Sequence, residues 1–206
     1  MVLLCEKYGT MIGLLYHTLF MTHPSLVFLD YSGSVLDEHA KAWLLTALTQ
    51  SPDNRIVVVV PRPDTMLFME LALDTFESVE TVLKTIYGRG GDPDFVQLVD
   101  RALNHPDLSV DVSHIIFCTD LYIAPFERPN VASDIRFEFV TAIENSHSPQ
   151  TYKNCYQWVE QFATLTQTIA PQELDNTLDH LRAVAQRKII DQSVGSSLKS
   201  QLARKM

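Results

Sequence analysis

The sequence predicts an α/β protein: a mostly parallel central sheet flanked by helices, with a helical extension at the C-terminus. Three observations carry that prediction. Leu26-Val27-Phe28-Leu29 is an unbroken apolar run that ends in Asp30-Tyr31-Ser32-Gly33-Ser34, the signature of a strand buried on both faces and closed by a turn. After Ser34 the period changes, and Leu36, Ala40, Trp43, Leu44, Ala47 and Leu48 fall on one helical stripe. Further on, Ile56–Val60 and Val112–Cys118 repeat the buried-run pattern with amphipathic segments between them, and alternation of that kind implies parallel strands joined by crossover helices.

The elements follow in order. Residues 1–24 read as an N-terminal helical segment, with Met11, Leu14, Leu15, Thr18 and Leu19 on one face and His23-Pro24 as its stop. Ser51-Pro52-Asp53-Asn54 is a turn, and Pro61 and Pro63 close the β-branched strand after it. Met66–Leu73 fits a third strand or a short helix, and Val79, Val82, Leu83 and Ile86 fit a helical turn or two. Phe95, Leu98, Val99, Ala102 and Leu103 give a helix closed by Asn104-His105-Pro106; Ile135, Phe137 and Phe139 alternate with Arg136 and Glu138 in a strand.

Ser146-His147-Ser148-Pro149 marks a boundary, so the sheet domain spans residues 25–147 and the extension 148–206. Within the extension, Tyr152, Cys155, Tyr156, Val159, Phe162 and Ala163 form one helical stripe. Pro171 opens a second helix with Leu174, Leu178, Leu181 and Ala185 on one side, and Val194-Gly195-Ser196-Ser197 begins a loose tail.

Composition narrows the function. With 206 residues, 46% of them hydrophobic and 20% charged, the chain has material for one real core. A net charge of −9 argues against general nucleic-acid binding. The segment from Arg182 to Met206 is the exception: six basic residues against one acid give it +5 and leave −14 on the remainder. That tail is either a solvated helix end or a segment that docks on a partner or touches nucleic acid. Cys5, Cys118 and Cys155 form no paired spacing and read as buried thiols in a reducing compartment. No apolar run reaches the ~18 residues of a membrane span, and the expected location is cytoplasmic. There is no paired-histidine zinc spacing, no phosphate-binding loop and no nucleophile elbow.

Asp30, Ser32 and Ser34 stand at the carboxyl end of a central strand, where open α/β sheets place their sites. A carboxylate and two hydroxyls are hard oxygen donors suited to Mg2+; helix capping is the plainer use of such serines. Asp-x-Ser-x-Ser after a first buried strand resembles the metal-ion-dependent adhesion site (MIDAS) of von Willebrand factor A (VWA) domains. Gly88-Arg89-Gly90-Gly91-Asp92-Pro93-Asp94-Phe95 resembles the Gly-Gly-Thr-Asp-Phe loop of bacterial and phage VWA-like proteins. Phe117-Cys118-Thr119-Asp120-Leu121 resembles their strand ending in Thr-Asp-Gly. The three stretches keep the family's order.

The resemblance implies a Rossmann-like, VWA-type sheet, often with an antiparallel edge strand, in a non-enzymatic protein-binding or scaffold module. It implies a divalent cation, Mg2+ or else Mn2+ or Ca2+, on Asp30, Ser32, Ser34, Asp92 and Asp120. Asp92 replaces the family's threonine, and a carboxylate there would hold the cation more firmly while competing with an acidic partner residue. Tyr31, Arg89 and Leu121 would form the rim that meets a protein partner. Two alternatives stand beside this. Leu26–Leu36 is also similar to the first motif of haloacid-dehalogenase-like phosphatases, with Asp30 as nucleophile, although Ser32 replaces the second aspartate and Pro61 the next strand's hydroxyl. The other is a metal-free structural subunit. An edge strand near Ile135–Val140 would leave room for a homo-oligomer.

Overall fold

A computed structural model of the chain describes residues 24–30, 32, 35–62, 64–86, 94–108, 111–121, 123–141 and 157–203. The expected N-terminal segment and the boundary at 146–149 lie outside them, as do Cys5 and Cys155. Among the described residues six strands form one sheet: β1 (Ser25–Leu29), β2 (Arg55–Pro61), β3 (Met66–Ala72), β4 (His114–Cys118), β5 (Arg136–Thr141) and β6 (Thr164–Gln167). Their order is β3-β2-β1-β4-β5-β6. Every pairing is parallel except β2–β3, which is antiparallel. Met66–Ala72 is therefore a strand, and it is the antiparallel edge that the VWA resemblance implies.

Both faces of the sheet are covered, which explains why the central strands read as continuous apolar runs. One face, carrying Val27, Leu29, Val58, Ile116 and Val140, meets α1 (Asp37–Gln50), α2 (Val79–Ile86) and the start of α4 (Leu174–Ala203). The other, carrying Leu26, Phe28, Phe117, Phe137 and Phe139, meets α3 (Phe95–Leu103) and an aromatic layer completed by Phe126, Trp158 and Phe162. Phe117 is central there, with ring centroids 4.9 Å from both Phe95 and Phe139 and 5.8 Å from Phe28.

Local chemistry sets the helix ends. Leu36, not a serine, is the N-cap of α1, and no side chain caps it; Asp37 and Glu38 face the positive end of its dipole. Asp94 caps α3, its carboxylate accepting the Gln97 N–H at 3.0 Å.

Three expectations change. β6 lies inside the segment assigned to a helical extension and pairs with β5, so the sheet continues past residue 147 and Ile135–Val140 is not an edge. The helix around Val159 ends before Phe162, and the remainder of that stripe turns into the strand. Beyond Val194 there is no loose tail among the described residues: α4 runs through Gly195 and the serines to Ala203.

The predicted alternation in β5 also fails at Glu138, which is buried. Its Oε2 lies 3.3 Å from His114 Nε2, its Oε1 accepts the Thr166 hydroxyl, and His114 Nδ1 is 2.8 Å from Ser25 Oγ. Four neighbouring strands are thus linked by one polar chain. Burial would raise the Glu138 carboxyl, but hydrogen bonds from His114 and Thr166 outweigh it and hold the group below the usual carboxylate value. Serine, histidine and glutamate in that order suggest a nucleophile relay, yet all three are buried inside the sheet and Ser25 Oγ has no exposure to a substrate.

Candidate functional site

The order of strands reverses between β1 and β4: the chain builds β1, β2 and β3 outward, then crosses to lay β4, β5 and β6 on the other side. Loops leaving the carboxyl ends of these two strands diverge, and the crevice between them is where such sheets bind ligands. Asp30 and Thr119-Asp120 leave β1 and β4 at that crevice. The backbones are joined there, the Asp30 N–H donating to Cys118 O at 2.7 Å.

Asp30 is 1% exposed. Its Oδ1 accepts the Ser32 N–H at 2.9 Å and its Oδ2 accepts the Thr119 hydroxyl at 2.7 Å. Ser32 O in turn accepts the Val35 N–H at 3.1 Å, shaping the turn into α1. Burial pushes the Asp30 carboxyl above its ordinary value. The Ser32 N–H and Thr119 hydroxyl pull it down, the Asp120 charge pushes it up, and burial prevails.

The structure therefore brings together Asp30, Ser32 and Asp120 of the expected ligands. Tyr31, Ser34, Arg89 and Asp92 lie outside the described residues. Leu121 does not belong on a rim: it is 1% exposed and packs with Phe95 and Phe117 in the core on the α3 side. Its backbone is nevertheless informative, for it holds φ at 63°, a left-handed conformation that favours glycine. The Thr-Asp-Gly stretch that Thr119-Asp120-Leu121 resembles has glycine at this position; here a leucine takes the left-handed conformation and its side chain lies in the core.

Thr119 belongs to the site as well, beyond the residues the sequence points to. It is fully buried and orients Asp30, while its oxygen accepts the Leu121 N–H at 3.1 Å. The available signal was its place, a hydroxyl directly after a buried strand and before an aspartate.

The donor chemistry fits a hard cation. An ionised carboxylate has about four acceptor positions, so the bonds from Ser32 and Thr119 leave capacity on Asp30, and Asp120 adds a second negative charge nearby. Among the described residues no cluster of three or more His, Cys, Asp or Glu side chains is assembled. Among the described residues, a cation at Asp30 would thus have the Ser32 hydroxyl and the Asp120 carboxylate as further oxygen donors.

No family model and no curated protein matches this chain. Among solved structures, an aerotolerance-related membrane protein from Bacteroides fragilis, carrying multiple mutations to serine, is similar at 14% identity. The match covers 76% of this chain and 96% of that one, with a TM-score of 0.45. A likeness of that size bears on neither ligand nor activity. Among the described residues no helix is long and apolar enough to cross a membrane.

A second concavity, about 820 Å³, lies by the start of β2 and the end of β3, against α4, with Asn54, Arg55, Glu70, Asp74, Glu77 and Arg182 in its lining. Its two arginines are already paired, Arg55 with Glu70 and Arg182 with Glu77, so neither is left over to meet an anionic ligand.

Proposed function

We propose that this chain is a VWA-like, non-enzymatic module that binds a protein partner at the carboxyl edge of its sheet. In this reading a divalent cation, Mg2+ in the first instance, is held by Asp30, Ser32 and Asp120 and completed by Ser34 and Asp92. The observation that carries it is the fixing of Asp30 by the Ser32 N–H and the Thr119 hydroxyl, beside the charge of Asp120, at the switch point. Burying one carboxylate next to another is unfavourable. A bound dication would reverse that cost and offer a coordination position to an acidic residue of the partner. Asp92 would compete for the same position and restrain partner capture through the metal.

The burial of Asp30, with both oxygens already accepting hydrogen bonds, favours a binding role over that of a phosphatase nucleophile. The same bonds also favour a second reading, a metal-free subunit in which Asp30 only clamps β1 to β4.

Melting curves in EDTA, Mg2+, Mn2+ and Ca2+, on wild type and Asp120→Asn, separate these readings. A ligand that binds only the native state stabilises it by about 2.7 kcal/mol at a hundredfold excess over its dissociation constant. The expected result is a cation-dependent rise in wild type that Asp120→Asn loses. No rise in wild type at millimolar cation would sink the metal site and leave the clamp. Phosphate release from a generic phosphate ester would instead make the chain an enzyme.

A further inference from the structure

α4 presents two different faces along its length. In its first half Leu174, Leu178, Leu181 and Ala185 pack on the core beneath α1, and Arg182 pairs with Glu77. From Arg187 to Val194 every described side chain is exposed. Among the described residues, three of the five large exposed apolar ones fall here: Ile189 at 66%, Ile190 at 59% and Val194 at 52%.

Ile190 and Val194 do not continue the inner stripe. At about 100° per residue they lie on the side of the helix away from Leu181 and Ala185, and in the sequence Leu198 and Leu202 continue their four-residue spacing. The chain's own sheet cannot cover that side.

Gly195 is a second, independent sign. Glycine inside a helix costs about 1 kcal/mol relative to alanine, and a Cβ added at Gly195 would meet nothing within 4 Å. Among the described residues nothing requires it. Beside an apolar ridge, a missing side chain lets another backbone come close. The segment is also a poor helix former by itself, with Ser193, Ser196, Ser197 and Ser200 around Gly195 and β-branched residues before it.

Charge selects the occupant. From Arg187 to the end, Arg187, Lys188, Lys199, Arg204 and Lys205 stand against Asp191 alone, a net charge of +4. A second copy of α4 would set these cations against each other in either direction. A lipid surface would favour aromatic anchors, whereas this stripe is aliphatic and residues 187–206 contain no Phe, Trp or Tyr. We infer that residues 187–203 form a docking helix for an amphipathic helix with acidic flanks on a partner protein, crossing at Gly195. Ridges of four-residue spacing favour a crossing near −50°. The inference stands apart from the cation site, and an experiment in EDTA keeps the two separable.

The test uses the full chain in EDTA and two fluorescent synthetic helices with the same leucine ridge, one flanked by glutamates and the other by lysines. By anisotropy the acidic helix should bind at least about tenfold tighter than the basic one. Val194→Asp should abolish that preference without lowering the melting temperature of the body, since Val194 is exposed and belongs to neither core cluster. Gly195→Ala should increase helicity yet weaken binding, an opposition that a purely structural glycine would not produce. Equal binding of the two helices, or an acidic-helix affinity untouched by Val194→Asp, would overturn the inference. So would preferential binding to phosphatidylserine vesicles or to an oligonucleotide, or self-association that Val194→Asp removes.

Discussion

The Thr119 hydroxyl donates to Asp30 Oδ2 at 2.7 Å, and the same oxygen accepts the Leu121 N–H at 3.1 Å. One side chain thereby holds the acidic end of β1 and the turn that leaves β4. Replacing Thr119 with valine keeps the shape and removes both bonds, leaving a buried carboxylate oxygen and a buried N–H short of partners. Urea unfolding of Thr119→Val should show a loss of about 1–3 kcal/mol, with Thr119→Ser close to wild type. A loss of only a few tenths in the valine variant would mean that Asp30 does not depend on Thr119.

How far the sequence revealed this arrangement depended on what surrounds each segment. β1, β2 and β4 are covered on both faces, so Leu26–Leu29, Ile56–Val60 and Ile115–Cys118 announce themselves as apolar runs. β3 left strand and helix open because Met, Leu and Glu are good helix formers, and only its pairing with β2 decides the matter. β6 is four residues long, and Thr164-Leu165-Thr166-Gln167 has too little apolar character to mark a strand. The end of α4 looks like a tail in the sequence because glycine and serine ordinarily weaken helices. Asp30 and Asp120 were legible because strand ends were. The His114–Glu138 pair was not, since its members sit on separate strands and meet only through the register of β4 with β5.

Leu121 sets two penalties against each other. Its φ of 63° costs roughly 1–2 kcal/mol for a residue with a Cβ, while emptying a buried leucine site costs about 2–5 kcal/mol. Leu121→Ala keeps the backbone strain and loses the packing; Leu121→Gly loses the packing but sheds the strain. Both should unfold at lower urea than wild type, with glycine at least as stable as alanine, the reverse of the usual order. Alanine more stable than glycine by about 1 kcal/mol, the ordinary preference, would refute the strain.

The Glu138 carboxyl is held below the usual value in the folded protein. Below an unfolded value near 4.5 the unfolded chain takes up this proton first, so stability rises with pH in that window. The contribution is complete above the unfolded value and disappears as pH falls through the folded one. Glu138→Gln should be less stable than wild type at neutral pH, by about 1.5–3 kcal/mol for hydrogen bonds to a charged group. The gap should close on acidification. A difference in unfolding free energy that stays constant from neutral to acidic pH would show that the carboxylate charge has no part in the network.

β1 and β4 are fastened at both ends, by Ser25 with His114 at one and by Asp30 with Thr119 at the other, and each pair is separated by 89 residues of chain. Closing so long a loop is entropically costly and must precede any reward from the contacts it permits. The pairing of β2 with β3, by contrast, is local. The seam between β1 and β4 is therefore expected to form late in folding, joining two halves already partly built. Both fasteners would then act mainly on the unfolding rate: cutting either one should let the sheet part sooner while changing little how fast it assembles.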